Sequence, residues 1–94
     1  MPLDPIQEKN LSEIIDYSLE YPSMVLTTVK TQSSRNLAEY SFGLYIGYIS
    51  GVFFDKFLAE NKRFLNDDEM SHFNSMLKSR ESEILMKIKT HLKL

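Results

Sequence analysis

Apolar residues recur at three- and four-residue spacing along most of the chain, and polar or proline-marked breaks divide the pattern into helices. Ile6, Leu11, Ile14, Ile15 and Leu19 form one stripe, with Glu8, Lys9, Glu13, Asp16 and Glu20 on the other side. This predicts an amphipathic helix with one buried face. Its start is marked by Asp4 before Pro5, an N-cap followed by proline in the first helical position, and Gln7 stands where it returns a hydrogen bond in a capping box. Pro22 disfavours helical geometry at Tyr21 and ends the element.

Residues 23–31 (SMVLTTVKT) hold β-branched Val25, Thr27, Thr28 and Val29, which suit a strand as readily as a helix. No second alternating run with a hairpin turn is present to pair with it, so a short helix starting at Pro22 is expected. The polar cluster TQSSRN at 31–36 predicts a loop, with Ser33 or Ser34 as the next N-cap. A last helix is expected from Asn66, where Glu69 closes a second capping box and Asp67 and Asp68 suit the positive end of the helix dipole. Met70, Phe73, Leu77, Ile84, Ile88 and Leu92 mark its inner face, interrupted at Arg80 and Glu81.

Between these lies a helix from about Arg35 to Asn61, roughly 40 Å long. Residues 42–54, FGLYIGYISGVFF, carry no charge, and apolar side chains fall on nearly every side. Gly43, Gly47 and Gly51 recur every four residues on one face, each costing about 1 kcal/mol of helix propensity relative to alanine. Close helix packing is the return that would offset this, with Tyr40, Leu44 and Tyr48 beside the glycines in a dimer interface. The uncharged stretch from Tyr40 to Phe54 is 15 residues, short of the ~20 a membrane span needs. Glu39, Asp55 and Lys56 bracket it and tyrosines stand in its interior, so a protein core, without membrane insertion, is expected.

A chain of 94 residues, 43% hydrophobic and 26% charged, is a compact globule of one domain spanning residues 1–94, not a disordered or multidomain chain. So short a chain has a small private core, which favours association. Absence of cysteine removes disulfides, thiolate metal sites and thiol nucleophiles, and fits a reducing compartment. Met1-Pro2-Leu3-Asp4-Pro5 has no basic region followed by an apolar run, so no secretory signal is expected and the cytoplasm is the expected location. A net charge of −2 argues against direct nucleic-acid binding. Charge is uneven, however: Asp4, Glu8, Glu13, Asp16 and Glu20 face only Lys9 in residues 1–21, while Lys78, Arg80, Lys87, Lys89 and Lys93 outnumber Glu81 and Glu83 in 78–94.

Catalytic chemistry finds no constellation. His72 and His91 are 19 positions apart on the last helix, and no GxSxG, phosphate loop or HExxH is present. Glu69-Met70-Ser71-His72 matches the Glu-x-x-His of di-iron bundles, but one chain supplies one pair, so a dimer would have to add the rest, with Glu39 or Glu60. The simpler reading has Glu69 as capping partner and His72 facing solvent. No catalytic residue, cofactor or metal is therefore assigned.

Residues 58–86 carry Asn61-Lys62, Leu65, Asp67, Glu69, Phe73, Ser75, Arg80, Glu83 and Met86 in a pattern that resembles the Hha/YmoA family of small helical modulators of gene expression, which act through the nucleoid protein H-NS. The resemblance implies a modulator of transcription with a nucleoid partner. The chain departs from that family at Met76, Leu77, Lys78 and Ser79, where the family has small residues followed by an acidic residue and a histidine.

The expectation from sequence is an all-α bundle of three long helices and one short helix, completed by homodimerisation through Gly43, Gly47, Gly51, Tyr40, Leu44 and Tyr48. Its expected role is non-enzymatic: a regulator or adaptor that binds another protein.

Overall fold

The computed structural model describes residues 2–26 and 37–93. Among them the chain is all-α, with helices α1 (Pro5–Glu20), α2 (Pro22–Val25), α3 (Leu37–Asn61), α4 (Asp67–Ser79) and α5 (Glu81–Leu92). The expected loop at 31–36, its cap Ser33 or Ser34, and the end of the 23–31 segment lie outside the described residues.

α1 starts as its sequence dictates. Asp4 is extended and its carboxylate accepts from the Gln7 N–H at 2.8 Å, while the Gln7 side chain accepts from the Asp4 N–H at 3.0 Å. Leu11, Ile15 and Ser18 face inward, whereas Ile6, grouped with that stripe by spacing, is 71% exposed in the first turn. The helix stops at Tyr21, whose N–H reaches the Tyr17 carbonyl, and Pro22 opens the single turn of α2. Val25 and Leu26 turn into the core there.

α3 is about 37 Å long at 25 residues, nearly the full 40 Å length of the molecule. α1, α2 and α5 all pack on it. Its inward row is Ser41, Tyr45, Ile49, Phe53 and Phe57, spaced by four. Near its C-terminal end Phe53 stacks on Phe73 of α4 with centroids 5.4 Å apart, and Phe54 meets the same ring at 4.9 Å. Such aromatic pairs add about 0.5–1.5 kcal/mol each beyond the area they bury.

α3 ends where Lys62 turns left-handed, φ 58°, and its N–H reaches the Leu58 carbonyl at 2.9 Å. The second capping box then starts α4: the Asn66 side chain accepts from the Glu69 N–H and Glu69 accepts from the Asn66 N–H, both at 2.8 Å.

The element expected as one helix from Asn66 is two, broken at Arg80. Arg80 leaves helical geometry (φ −111°, ψ 9°), and its N–H bonds to Leu77 at 3.1 Å in a tighter turn. Its guanidinium is held by Asp16 of α1 at 2.7 Å and Glu83 at 2.8 Å. The apolar pattern hides this break: Phe73, Leu77, Ile84 and Ile88 stay in phase and all are buried, so periodicity alone reads straight through it.

Candidate interaction face

The inner row of α3 leaves the rest of an apolar helix to be accounted for. Gly43, Gly47 and Gly51 lie opposite it, with Glu39 before them and Asp55 after them, and every member of that row is exposed. A Cβ built on any of the three glycines meets no described residue within 4 Å. Among the described residues no neighbour uses the space the missing side chains leave.

Tyr40, Leu44 and Tyr48 form the adjacent row and are half-buried against the core. Phe42, Ile46 and Phe54, on the row at the other side of the glycines, are half-buried too. The structure thus brings the predicted interface residues together on one side of α3, as a glycine floor with a tyrosine- and leucine-bearing wall.

That wall continues into α1. A groove of about 300 Å³ runs between Asn10, Glu13, Ile14 and Tyr17 of α1 and Tyr48, Val52 and Lys56 of α3. Tyr17 also packs on Tyr21, ring centroids 4.8 Å apart. Spacing along the chain did not reveal Tyr17 or Val52 as part of this surface, because the groove exists only once α1 lies beside α3. The exposed Tyr17, on the polar side of an otherwise amphipathic helix, was the available signal.

A wider, shallow surface follows α5, where Leu85 and Met86 lie beside Lys89 and Lys93 around about 630 Å³ of open space. Met86 is 70% exposed.

Both members of the Glu-x-x-His pair are engaged within the chain. Glu69 is 3% exposed and accepts two hydrogen bonds from Arg63, at 2.7 and 3.0 Å, besides closing the capping box. Those bonds hold its carboxyl below the usual carboxylate range, against burial, which pushes it up. His72, expected to face solvent, instead packs over the N-terminal segment. Its Nδ1 accepts from the Leu3 N–H at 3.1 Å and its Nε2 lies 3.5 Å from the Glu8 carboxylate. Glu60 pairs loosely with Lys56 and Glu39 is exposed on the glycine row. Among the described residues no three acidic, histidine or cysteine side chains gather to hold a metal ion.

The polar groups inside the core are few. Tyr45, fully buried, donates its hydroxyl to the Ser18 carbonyl at 3.2 Å, and burial pushes its phenol up to about 12. The buried Ser41 hydroxyl makes no hydrogen bond.

Comparison with protein-family models, curated proteins and solved structures gives no match to this chain.

Proposed function

We propose that the protein is a non-enzymatic binding module, a regulator or adaptor, that works as a helical homodimer whose subunits meet through the glycine row of α3. One observation supports this reading: the glycine row of α3 is exposed between half-buried Tyr40, Leu44 and Tyr48 on one side and Phe42, Ile46 and Phe54 on the other, and a Cβ on any of the glycines meets no described residue within 4 Å.

A second copy fits that face. The glycine row is a shallow channel between two ridges of four-residue spacing, and such ridges interlock with their like at a crossing of about −50°. Placed antiparallel with Gly47 at the crossing, Gly43 of one copy lies opposite Gly51 of the other, so each backbone enters the other's channel. The helix ends then diverge, leaving Glu39 and Asp55 in water. This contact is isologous and closes at two subunits. The lysine-flanked α5 surface remains open on the dimer for a protein partner.

Sedimentation equilibrium tests the assembly. A dimer at micromolar concentration is expected, and a stable monomer there overturns it. Affinity purification from the native cell tests the partner, and recovery of an H-NS-type protein would make the role Hha-like.

A second reading rests on the same helix, since α3 is long and apolar enough to cross a membrane. It has a physical obstacle. α1, with Glu8, Glu13 and Asp16, lies along α3, and a spanning α3 would have to shed it or drag those carboxylates into lipid. Recovery of the protein only with detergent would establish the spanning form; recovery in the soluble fraction rejects it.

A further inference from the structure

We propose that the α1–α3 groove binds a proline-rich segment flanked by basic residues, in the extended polyproline II form. The proposal rests on the reading of this protein as a binding module and names the chemistry of one partner. The apolar walls of the groove are Ile14 and Tyr17 of α1 and Tyr48 and Val52 of α3. Tyr17 is 49% exposed and Val52 38%, so a ligand laid between them takes apolar and aromatic surface out of water.

Length and polarity select the ligand. Asn10 to Tyr17 covers two turns of α1, about 10 Å, which is the length of one three-residue turn of polyproline II. The groove also presents donors: the Asn10 amide and the hydroxyls of Tyr17 and Tyr48. The contact of the Tyr48 hydroxyl with Met24 Sδ is 4.0 Å long, and sulfur is a weak acceptor. A helix packed here would bring carbonyls already bonded within itself and bury these donors without acceptors. Polyproline II carbonyls make no internal hydrogen bonds and accept from outside, while the proline rings lie against aromatic walls in a conformation formed before binding.

Charge sets the flanks. Glu13 and Glu20 stand two turns apart on the outer side of α1, one on each side of Tyr17, and both are exposed. The contact of Glu13 with Lys9 is a loose 3.9 Å between exposed side chains. On the α3 side Lys56 lies 3.9 Å from Glu60. The two α1 carboxylates therefore favour arginine or lysine at the ends of the proline run and repel phosphate-bearing ligands. Tyr48 belongs both to the groove and to the proposed α3 seam, so the segment and a second copy compete.

Shift mapping by NMR tests this on the whole chain with three capped peptides: hexaproline with an arginine at each end, hexaproline with a glutamate at each end, and an alanine-rich helix carrying two arginines. The arginine-flanked hexaproline should move the amides of Asn10, Glu13, Tyr17 and Val52, and bind about tenfold more tightly than the other two. Tyr17→Leu removes a ring and a hydroxyl from a half-exposed position and should weaken binding about tenfold. Glu13→Gln combined with Glu20→Gln should weaken it about threefold at low salt and little at high salt. In sedimentation the peptide should move the wild-type dimer toward monomer. A wild type that is monomeric without peptide rejects the α3 dimer, and the shift map then still decides the groove. Should Tyr17→Leu not fold, the three peptides and the glutamate variant decide. Absence of shifts at millimolar peptide, shifts away from the groove, or equal binding of the glutamate-flanked or helical peptide overturns the proposal.

Discussion

The Arg63 guanidinium holds the buried Glu69 carboxylate through paired hydrogen bonds across the turn between α3 and α4. The same guanidinium lies 5.2 Å from the Phe57 ring centre and donates to the Phe64 carbonyl at 3.0 Å. Glu69 meanwhile satisfies the Asn66 N–H at the start of α4. One carboxylate thus fixes where α4 begins and ties that start to the last turn of α3, bringing Phe73 against Phe53.

Glu69 supports the fold only while ionised. Arg63 holds its carboxyl below the usual range, so the stabilisation is complete above the unfolded value of about 4.3 and is lost as pH falls through the lower folded value. Urea midpoints measured at about pH 7 and about pH 3 should differ strongly in the wild type. Glu69→Gln retains an oxygen for the Asn66 N–H but loses the charge, so it should lower the neutral midpoint and narrow the gap. Glu83 is also depressed, by Arg80, but it is exposed, and Glu83→Gln should change little. An undiminished gap in Glu69→Gln would remove the pair as its cause.

Tyr45 does for the end of α1 what Glu69 does for the start of α4. The Ser18 carbonyl would bond the N–H of residue 22 in a continuing helix, but residue 22 is a proline, and the Tyr45 hydroxyl takes the vacant place. Tyr45→Phe should lose about 1 kcal/mol at neutral pH. The phenol is pushed up to about 12 in the fold, so its contribution is present below the unfolded value of about 10 and disappears as pH rises toward the folded one. Chemical denaturation should therefore show an alkaline loss in the wild type that is reduced in Tyr45→Phe. Equal losses would place its origin elsewhere.

What was legible in the sequence was local or periodic. Asp4 with Gln7 and Asn66 with Glu69 are capping signals decided within three residues, and both form. Phe73, Leu77, Ile84 and Ile88 carry a clean helical phase, and all are buried. α3 was legible as a helix but not in its orientation. Phe42, Leu44, Tyr45 and Ile46 point in different directions around it, so no apolar stripe specifies which row faces in, and the amphipathic α1 and α5 decide it by packing. The glycines were found but not the direction they face. The packing of His72 is not legible in the sequence because its partner, the Leu3 N–H, lies 69 positions away and is a main-chain group that no residue type announces. The break at Arg80 depends in the same way on Asp16, a charge on another helix.

Ser41 lies on the inner row of α3, fully buried, with its hydroxyl unpartnered. Its desolvation is uncompensated, and serine is a poorer helix former than alanine. Ser41→Ala should therefore raise stability by about 1 kcal/mol without changing the far-ultraviolet circular dichroism. A clear loss of stability in urea denaturation would show that the hydroxyl has a partner in solution.

Gly47 separates what the subunit needs from what the dimer needs. An added Cβ there meets no described residue within 4 Å, so within one subunit Gly47→Ala should gain about 1 kcal/mol of helix propensity. Gly47→Leu should likewise leave the isolated subunit folded. In the proposed dimer the same leucine overfills the channel at the crossing point. Overpacking of that kind costs about 1–3 kcal/mol, a weakening of association of about fivefold to 150-fold. Sedimentation equilibrium combined with melting at dilute concentration reads both effects. The expected result is a folded Gly47→Leu protein that stays monomeric where the wild type dimerises. If Gly47→Leu dimerises as tightly as the wild type, the glycine row is not the seam; if it unfolds even when dilute, the open space at Gly47 is filled from within the chain.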